Sequence, residues 1–200
     1  MRRTPADVAA TRAALLEAAL LEFAERGVAS ARLADIASRA GVTRGALYHH
    51  FADRTALLDA ALNEPWDAVS APAWAVLDGP DTEGRSLETR LTAFAEHWLT
   101  ALRSDDRFLA LINISVQLSG ALREDEEAKQ IDLRGRLEWR DRLQAALASA
   151  SAELADGVDP AAAANHLNAW LDGTAVQAAA HPSLLPATDT AWMIVKGLLA

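Results

Sequence analysis

Apolar residues recur along this chain at helical spacing. Leu16, Ala19, Leu20 and Phe23 form one stripe on a helix predicted from about Pro5 to Arg26, with Arg26-Gly27 as its stop signal. Leu33, Ile36, Ala37 and Ala40 fall at i, i+3, i+4 and i+7, so a short helix from about Arg32 to Ala40 packs through a single face. Gly41-Val42-Thr43 then interrupts the pattern. Thr43 is placed to cap a second short helix, about Arg44 to His50, whose Leu47 and Phe51 point inward and leave Arg44, Gly45, Tyr48 and His49 pointing elsewhere.

Beyond these, a fourth helix is expected from near Asp53, carrying Leu57, Leu58, Ala61 and Leu62. Pro65 lacks an amide donor and clashes with the preceding turn, so a kink or stop is expected there, and a kink would serve as a hinge. Residues 78–84 read as a loop. Leu87, Leu91, Phe94, Trp98 and Leu102 mark the next amphipathic helix, and Asp105-Asp106 open an apolar stretch from Phe108 to Leu118. A charged helix from about Arg123 to Ala150 follows. Asp159-Pro160 signals a helix running to about Ala180, His181-Pro182 ends it, and a last helix covers about Asp189 to Leu199. No alternating run rich in Val, Ile and Thr suggests a strand. The expected fold is all-α with about nine helices: a three-helix domain over residues 1–52 and a second helical domain over 53–200.

Composition narrows the function. With 51% hydrophobic residues in 200, the chain can bury a sizeable core, and no transmembrane run or signal-peptide core is seen, so a cytoplasmic location without membrane contact is expected. The absence of Cys and the presence of only five His argue against a metal site, and no cofactor is expected. The net charge of -9 is uneven. Residues 1–62 hold eight Arg, among them Arg2, Arg3, Arg12, Arg44 and Arg54, against seven acids, and the deficit lies entirely in the remainder. A nucleic-acid surface is therefore permitted only in the N-terminal third.

Two short helices joined by a Gly-containing turn make a helix-turn-helix. Arg44 can bond guanine O6 and N7 in bidentate fashion or clamp a phosphate; Tyr48 and His50 can donate to phosphate oxygens, and Arg54 adds charge beside them. Gly45 costs about 0.8 to 1 kcal/mol relative to Ala within a helix, which a close approach to the groove would explain. An acid-base enzyme built on Glu96, His97 or His166 finds no supporting motif, because adjacent Glu96 and His97 diverge by about 100° on a helix. A pure interaction module would not need Gly45 among Arg44, Tyr48 and Arg54.

The run from Leu33 to Arg54, LADIASRAGVTRGALYHHFADR, preceded by Phe23-Ala-Glu-Arg-Gly27, resembles the TetR family of bacterial repressors, most of all its multidrug-efflux branch. The resemblance implies a homodimer on double-stranded operator DNA, contacted through Thr43, Arg44, Gly45, Tyr48, His49, His50 and Arg54. It also implies a C-terminal domain that dimerises and binds a small-molecule effector that releases the DNA. Asn113 and Gln117, one turn apart, correspond roughly to polar ligand-contacting positions in that branch, although internal hydrogen bonds would satisfy them equally. Trp66, Trp98, Trp139 and Trp170, among six Trp, point to a flat hydrophobic or aromatic effector or to ordinary core packing. Three departures from the family pattern stand out. Ala31 sits where a Thr usually caps the second helix, leaving Ser30 or a neighbour to cap it. Arg54 replaces a more frequent Lys, and His49 a more frequent Trp or Tyr.

Overall fold

The computed structural model describes residues 4–120 and 126–199. Arg2, Arg3 and the expected helix start at Arg123 lie outside the described residues. Within them the fold is all-α. Nine α-helices follow in order: α1 (Pro5–Arg26), α2 (Leu33–Arg39), α3 (Arg44–His50), α4 (Arg54–Asp78), α5 (Leu87–Ser104), α6 (Asp106–Gly120), α7 (Glu126–Ser149), α8 (Pro160–Ala180) and α9 (Trp192–Lys196). Short 3-10 turns lie at Pro80–Thr82, Ser151–Glu153, Pro182–Leu184 and Thr188–Thr190.

The chain divides into two compact units. The first comprises Met1–Asp67 and Ala110–Asp132, the second Ala68–Leu109 and Leu133–Ala200, so α4, α6 and α7 each contribute residues to both. In the first unit, Leu15, Leu20, Phe23, Ile36, Leu47, Phe51, Leu57, Leu58 and Leu62 form the core, with Leu15 rather than Leu16 fully buried. Side chains fix the helix ends. Thr4 and Asp7 form a capping box, Pro5 occupies the first turn, and Gly27 ends α1 at φ +84°, a conformation that suits Gly. Asp53 caps α4 by accepting from the Ala56 amide at 2.8 Å.

Three expectations need correction. First, α4 does not stop at Pro65; it runs through Pro65 and Pro72 to Asp78, and the expected loop follows it, up to Leu87, with a 3-10 turn at Pro80–Thr82. An interior Pro costs roughly 3 kcal/mol. Burial of Leu57, Leu58, Ala61 and Leu62 before it, and of Ala73, Trp74 and Leu77 after it, outweighs that cost. Second, α2 has no side-chain cap. Ser30 is exposed, Arg32 occupies the cap position, and its carbonyl accepts from the Asp35 and Ile36 amides. Third, the last helix is shorter than expected, because a 3-10 turn precedes α9 and Leu199 forms an isolated β-bridge with Leu154. Ala163 and Ala164 of α8 are buried in the core of their own chain.

In the second unit α5 packs on α8 and α9. Asp159 caps α8 by accepting from the Ala162 amide at 3.0 Å. The Glu153 carboxylate accepts from the Leu87 amide at 2.6 Å, and so satisfies the first turn of α5 from 66 residues away.

Candidate nucleic-acid and effector sites

The α3 surface follows from its cap and its two buried residues. The Thr43 hydroxyl accepts from the Ala46 amide at 3.2 Å, which fixes the first turn, and Ala46 and Leu47 hold the inner face in the core. Thr43, Arg44, Gly45, Tyr48 and His49 are therefore exposed together, Tyr48 to 45%. Arg44 Nη2 donates to the Tyr48 hydroxyl at 3.1 Å, and its guanidinium lies 5.5 Å from the ring centroid. That hydrogen bond holds the Arg44 pKa above its ordinary value. The pair forms a charged, planar donor group on the outer face of a capped helix, the chemistry needed for base edges and phosphates.

A Cβ built at Gly45 would meet only the Thr43 hydroxyl, at 3.9 Å. Among the described residues nothing crowds that position. His50 is half-buried, 6.4 Å from the Phe51 ring. Arg54 is also half-buried. Its guanidinium lies 5.6 Å from the Phe23 centroid, and Nη2 is buried without a hydrogen-bond partner.

An ionic network that periodicity did not reveal ties α2 to α1. Glu22 is only 3% exposed, yet its carboxylate lies 3.0 Å from Arg39 Nε and 2.9 Å from Arg26 Nε. Arg39 also donates to both carboxylate oxygens of Glu25, at 3.0 and 2.6 Å. A signal was available: Glu22 falls seven residues after Leu15, on the buried stripe, with Arg26 one turn on. Arg12 forms a second tie, donating from both terminal nitrogens to Glu64 at 2.5 Å while its guanidinium covers the Phe51 ring at 5.2 Å. Arg12 thereby holds the Glu64 carboxyl below its ordinary pKa.

The six residues expected at an effector site are distributed between the two units. Trp98 and Trp139 meet in the second unit with ring centroids 5.6 Å apart. They belong to a cluster that includes Trp74, 4.7 Å from Trp139, Phe94, 5.2 Å from Trp74, and Phe108, 5.1 Å from Trp98. Two polar groups finish it. The Trp98 indole donates to the buried Thr174 hydroxyl at 2.9 Å, and Arg142 stacks 4.3 Å from the Trp74 centroid while bonding both oxygens of Asp78. Trp170 stands half-buried on α8, in the same unit. Trp66, Asn113 and Gln117, all half-buried, belong to the first unit. There the Gln117 side-chain oxygen accepts from the Val28 amide at 2.9 Å.

Among the described residues no group of His, Asp and Glu could hold a metal ion, and no helix is long and apolar enough to cross a membrane.

Comparison with known proteins follows the same division. The family model "Bacterial regulatory proteins, tetR family" matches residues 15–61, which hold the two short helices and most of α1. The HTH-type transcriptional regulator TtgR of Pseudomonas putida is 51% identical over 63 residues, 32% of this chain and 30% of that protein. The transcriptional repressor BepR of Brucella suis is 57% identical over 54 residues, 27% of this chain and 26% of BepR. These matches thus span less than a third of the curated relatives' length. Likeness over the whole chain comes from structure. SmeT, described as the repressor of the Stenotrophomonas maltophilia multidrug efflux pump SmeDEF, is 30% identical over 94% of this chain and 90% of its own, with a TM-score of 0.74. The SmeT–triclosan complex, also 30% identical, gives a TM-score of 0.80 over 96% of this chain and 92% of that one. The chain belongs to the TetR family of bacterial regulatory proteins, whose members are DNA-binding regulators and not enzymes.

Proposed function

We propose that this protein is a repressor that binds palindromic operator DNA as a homodimer and is released by a small hydrophobic or aromatic molecule. The observation that carries the DNA reading is the outer face of α3. Thr43, Arg44, Gly45, Tyr48 and His49 stand exposed on a helix whose inner face is fixed in the core. Arg44 and Tyr48 reach base edges or phosphates, Gly45 admits close approach, and His50 and Arg54 flank them at the backbone. One such helix reads one half-site. Two copies spaced about 34 to 36 Å apart on one side of the duplex read a palindrome.

Dimerisation is assigned to α8 and α9. Each leaves apolar side chains in solvent, namely Val176, Trp192 and Met193, and Gly173 of α8 has open space where a Cβ would stand. The effector reading is supported by the aromatic character of the second unit, whose core holds Trp98 and Trp139, with Trp170 half-buried on α8. Release requires an effector that prefers the arrangement that does not fit DNA, since equal affinity for both shifts nothing. SmeT is known in complex with triclosan, which makes triclosan a rational first probe here.

Selection of duplexes from a random library by the full chain, followed by sequencing, tests this reading. The expected outcome is a two-fold symmetric site bound by a dimer, and loss of the bound DNA as triclosan or another aromatic probe is titrated in. Absence of any enriched sequence, or a monomer by light scattering at micromolar concentration, would overturn it.

A further inference from the structure

We infer that Gln117 is a positioning residue for DNA binding, acting through its hydrogen bond to the backbone at the turn between α1 and α2; this inference rests on the DNA-binding reading above. α1 ends at Gly27, whose φ of +84° turns the chain out of the helix. The carbonyl of Gly27 then accepts from the amides of Ser30 and Ala31, closing a tight turn that leads into α2. Val28, inside that turn, is only 2% exposed, so its amide needs a partner within the protein. Gln117 Oε1 fills that role from 89 residues away, at 2.9 Å. The same oxygen lies 3.4 Å from where a Cβ on Gly27 would stand.

The hydrogen bond joins α6 to the backbone that sets where α2 begins. α2 has no side-chain cap of its own, and its packing on α3 places the exposed face of Arg44 and Tyr48. α6 runs without Pro or internal Gly from Asp106 to Ser119. Val28 and Gln117 belong to the same compact unit, whereas the first turn of α6 belongs to the other. Gln117 therefore ties the orientation of the DNA-reading helix to a helix that both units share, which is a different role from contacting an effector.

A double-mutant cycle isolates the bond. Val28→Pro removes the donor while trading one buried apolar side chain for another: Val28 is the second residue of the turn, where proline is favoured, and Gly27 has a ψ of 145°, which a following proline requires. Gln117→Leu removes the acceptor, and Gln117→Glu keeps one. The wild-type chain first selects its duplex from a random library, and affinities of the four proteins for that duplex are then measured beside their thermal midpoints. Gln117→Leu and Val28→Pro are each expected to weaken binding by about five- to tenfold, the lower range of coupling between linked sites. The double variant should bind no worse than either single, and Gln117→Glu should stay within about twofold of wild type. Should Gln117→Leu not fold, Val28→Pro against Gln117→Glu decides the matter, because only the former lacks the bond. Additive losses, or unchanged DNA affinity in Gln117→Leu or Val28→Pro, would overturn the inference. So would a weaker response to triclosan in Gln117→Leu with DNA affinity intact, which would make Gln117 an effector contact. If the wild-type chain selects no duplex, the DNA-binding reading itself fails, a result distinct from each of these.

Discussion

Along α3, Arg44, Tyr48 and His49 stand in solvent on a helix held by Thr43, Ala46 and Leu47, whereas in the second unit Trp74, Trp98 and Trp139 are buried against one another with centroids 4.7 to 5.6 Å apart. The first arrangement separates the side chains that support the helix from those that act. The second gives both tasks to the same rings. A substitution on the outer face of α3 should therefore alter binding and leave the fold, while one in the aromatic cluster should alter both.

The strongest test of that contrast is Trp98→Ala. It deletes a fully packed indole together with its hydrogen bond to Thr174, and urea unfolding should show a loss of about 3 to 5 kcal/mol. A loss below about 1 kcal/mol would mean that the cluster is loosely packed and already open to ligand. Arg39→Ala comes next. It removes one of two cations from the buried Glu22 carboxylate, and since Arg26 remains, the expected cost is about 2 kcal/mol, somewhat less than for breaking an isolated buried pair. This variant should also weaken DNA binding, since α2 loses its ionic tie to α1.

Gly45→Ala sharpens the comparison in the opposite sense. The added methyl meets open space, so thermal stability should rise slightly, by up to about 1 kcal/mol, while affinity for the selected duplex falls. Unchanged affinity would show that Gly45 does not face the groove. The smallest effect concerns pH. Arg12 lowers the Glu64 pKa in the folded state, so this pair stabilises the fold above the unfolded carboxylate pKa and its contribution is lost as pH falls through the lower, folded value. Both side chains are more than a third exposed, which limits the contribution to a fraction of about 1 kcal/mol. In an acid titration of the thermal midpoint, Arg12→Gln should show a slightly shallower fall than wild type.

What was legible in the sequence was local. Thr43 and Ala46, or Asp159 and Ala162, lie three residues apart, so a cap can be read directly, and the α3 face follows from the placement of Leu47 and Phe51. Residues distant in sequence are joined only by the fold. Trp98 meets Thr174 across 76 positions and Val28 meets Gln117 across 89, and no spacing rule reaches either pair. Pro65 did not stop the helix for a related reason: the packing on both sides that carries α4 through it was not visible in the local pattern. Likewise nothing local to Arg54 announces the ring of Phe23.

Arg44→Ala, followed in one preparation by affinity for the selected duplex and by thermal midpoint, tests most directly the claim that the outer face of α3 reads DNA while contributing little to the fold. The expected result is a loss of affinity of about 1 to 3 kcal/mol, roughly ten- to a hundredfold, with a midpoint within about 1 °C of wild type. Unchanged affinity at the same salt concentration, or a fall in midpoint large enough to account for the lost binding, would contradict it.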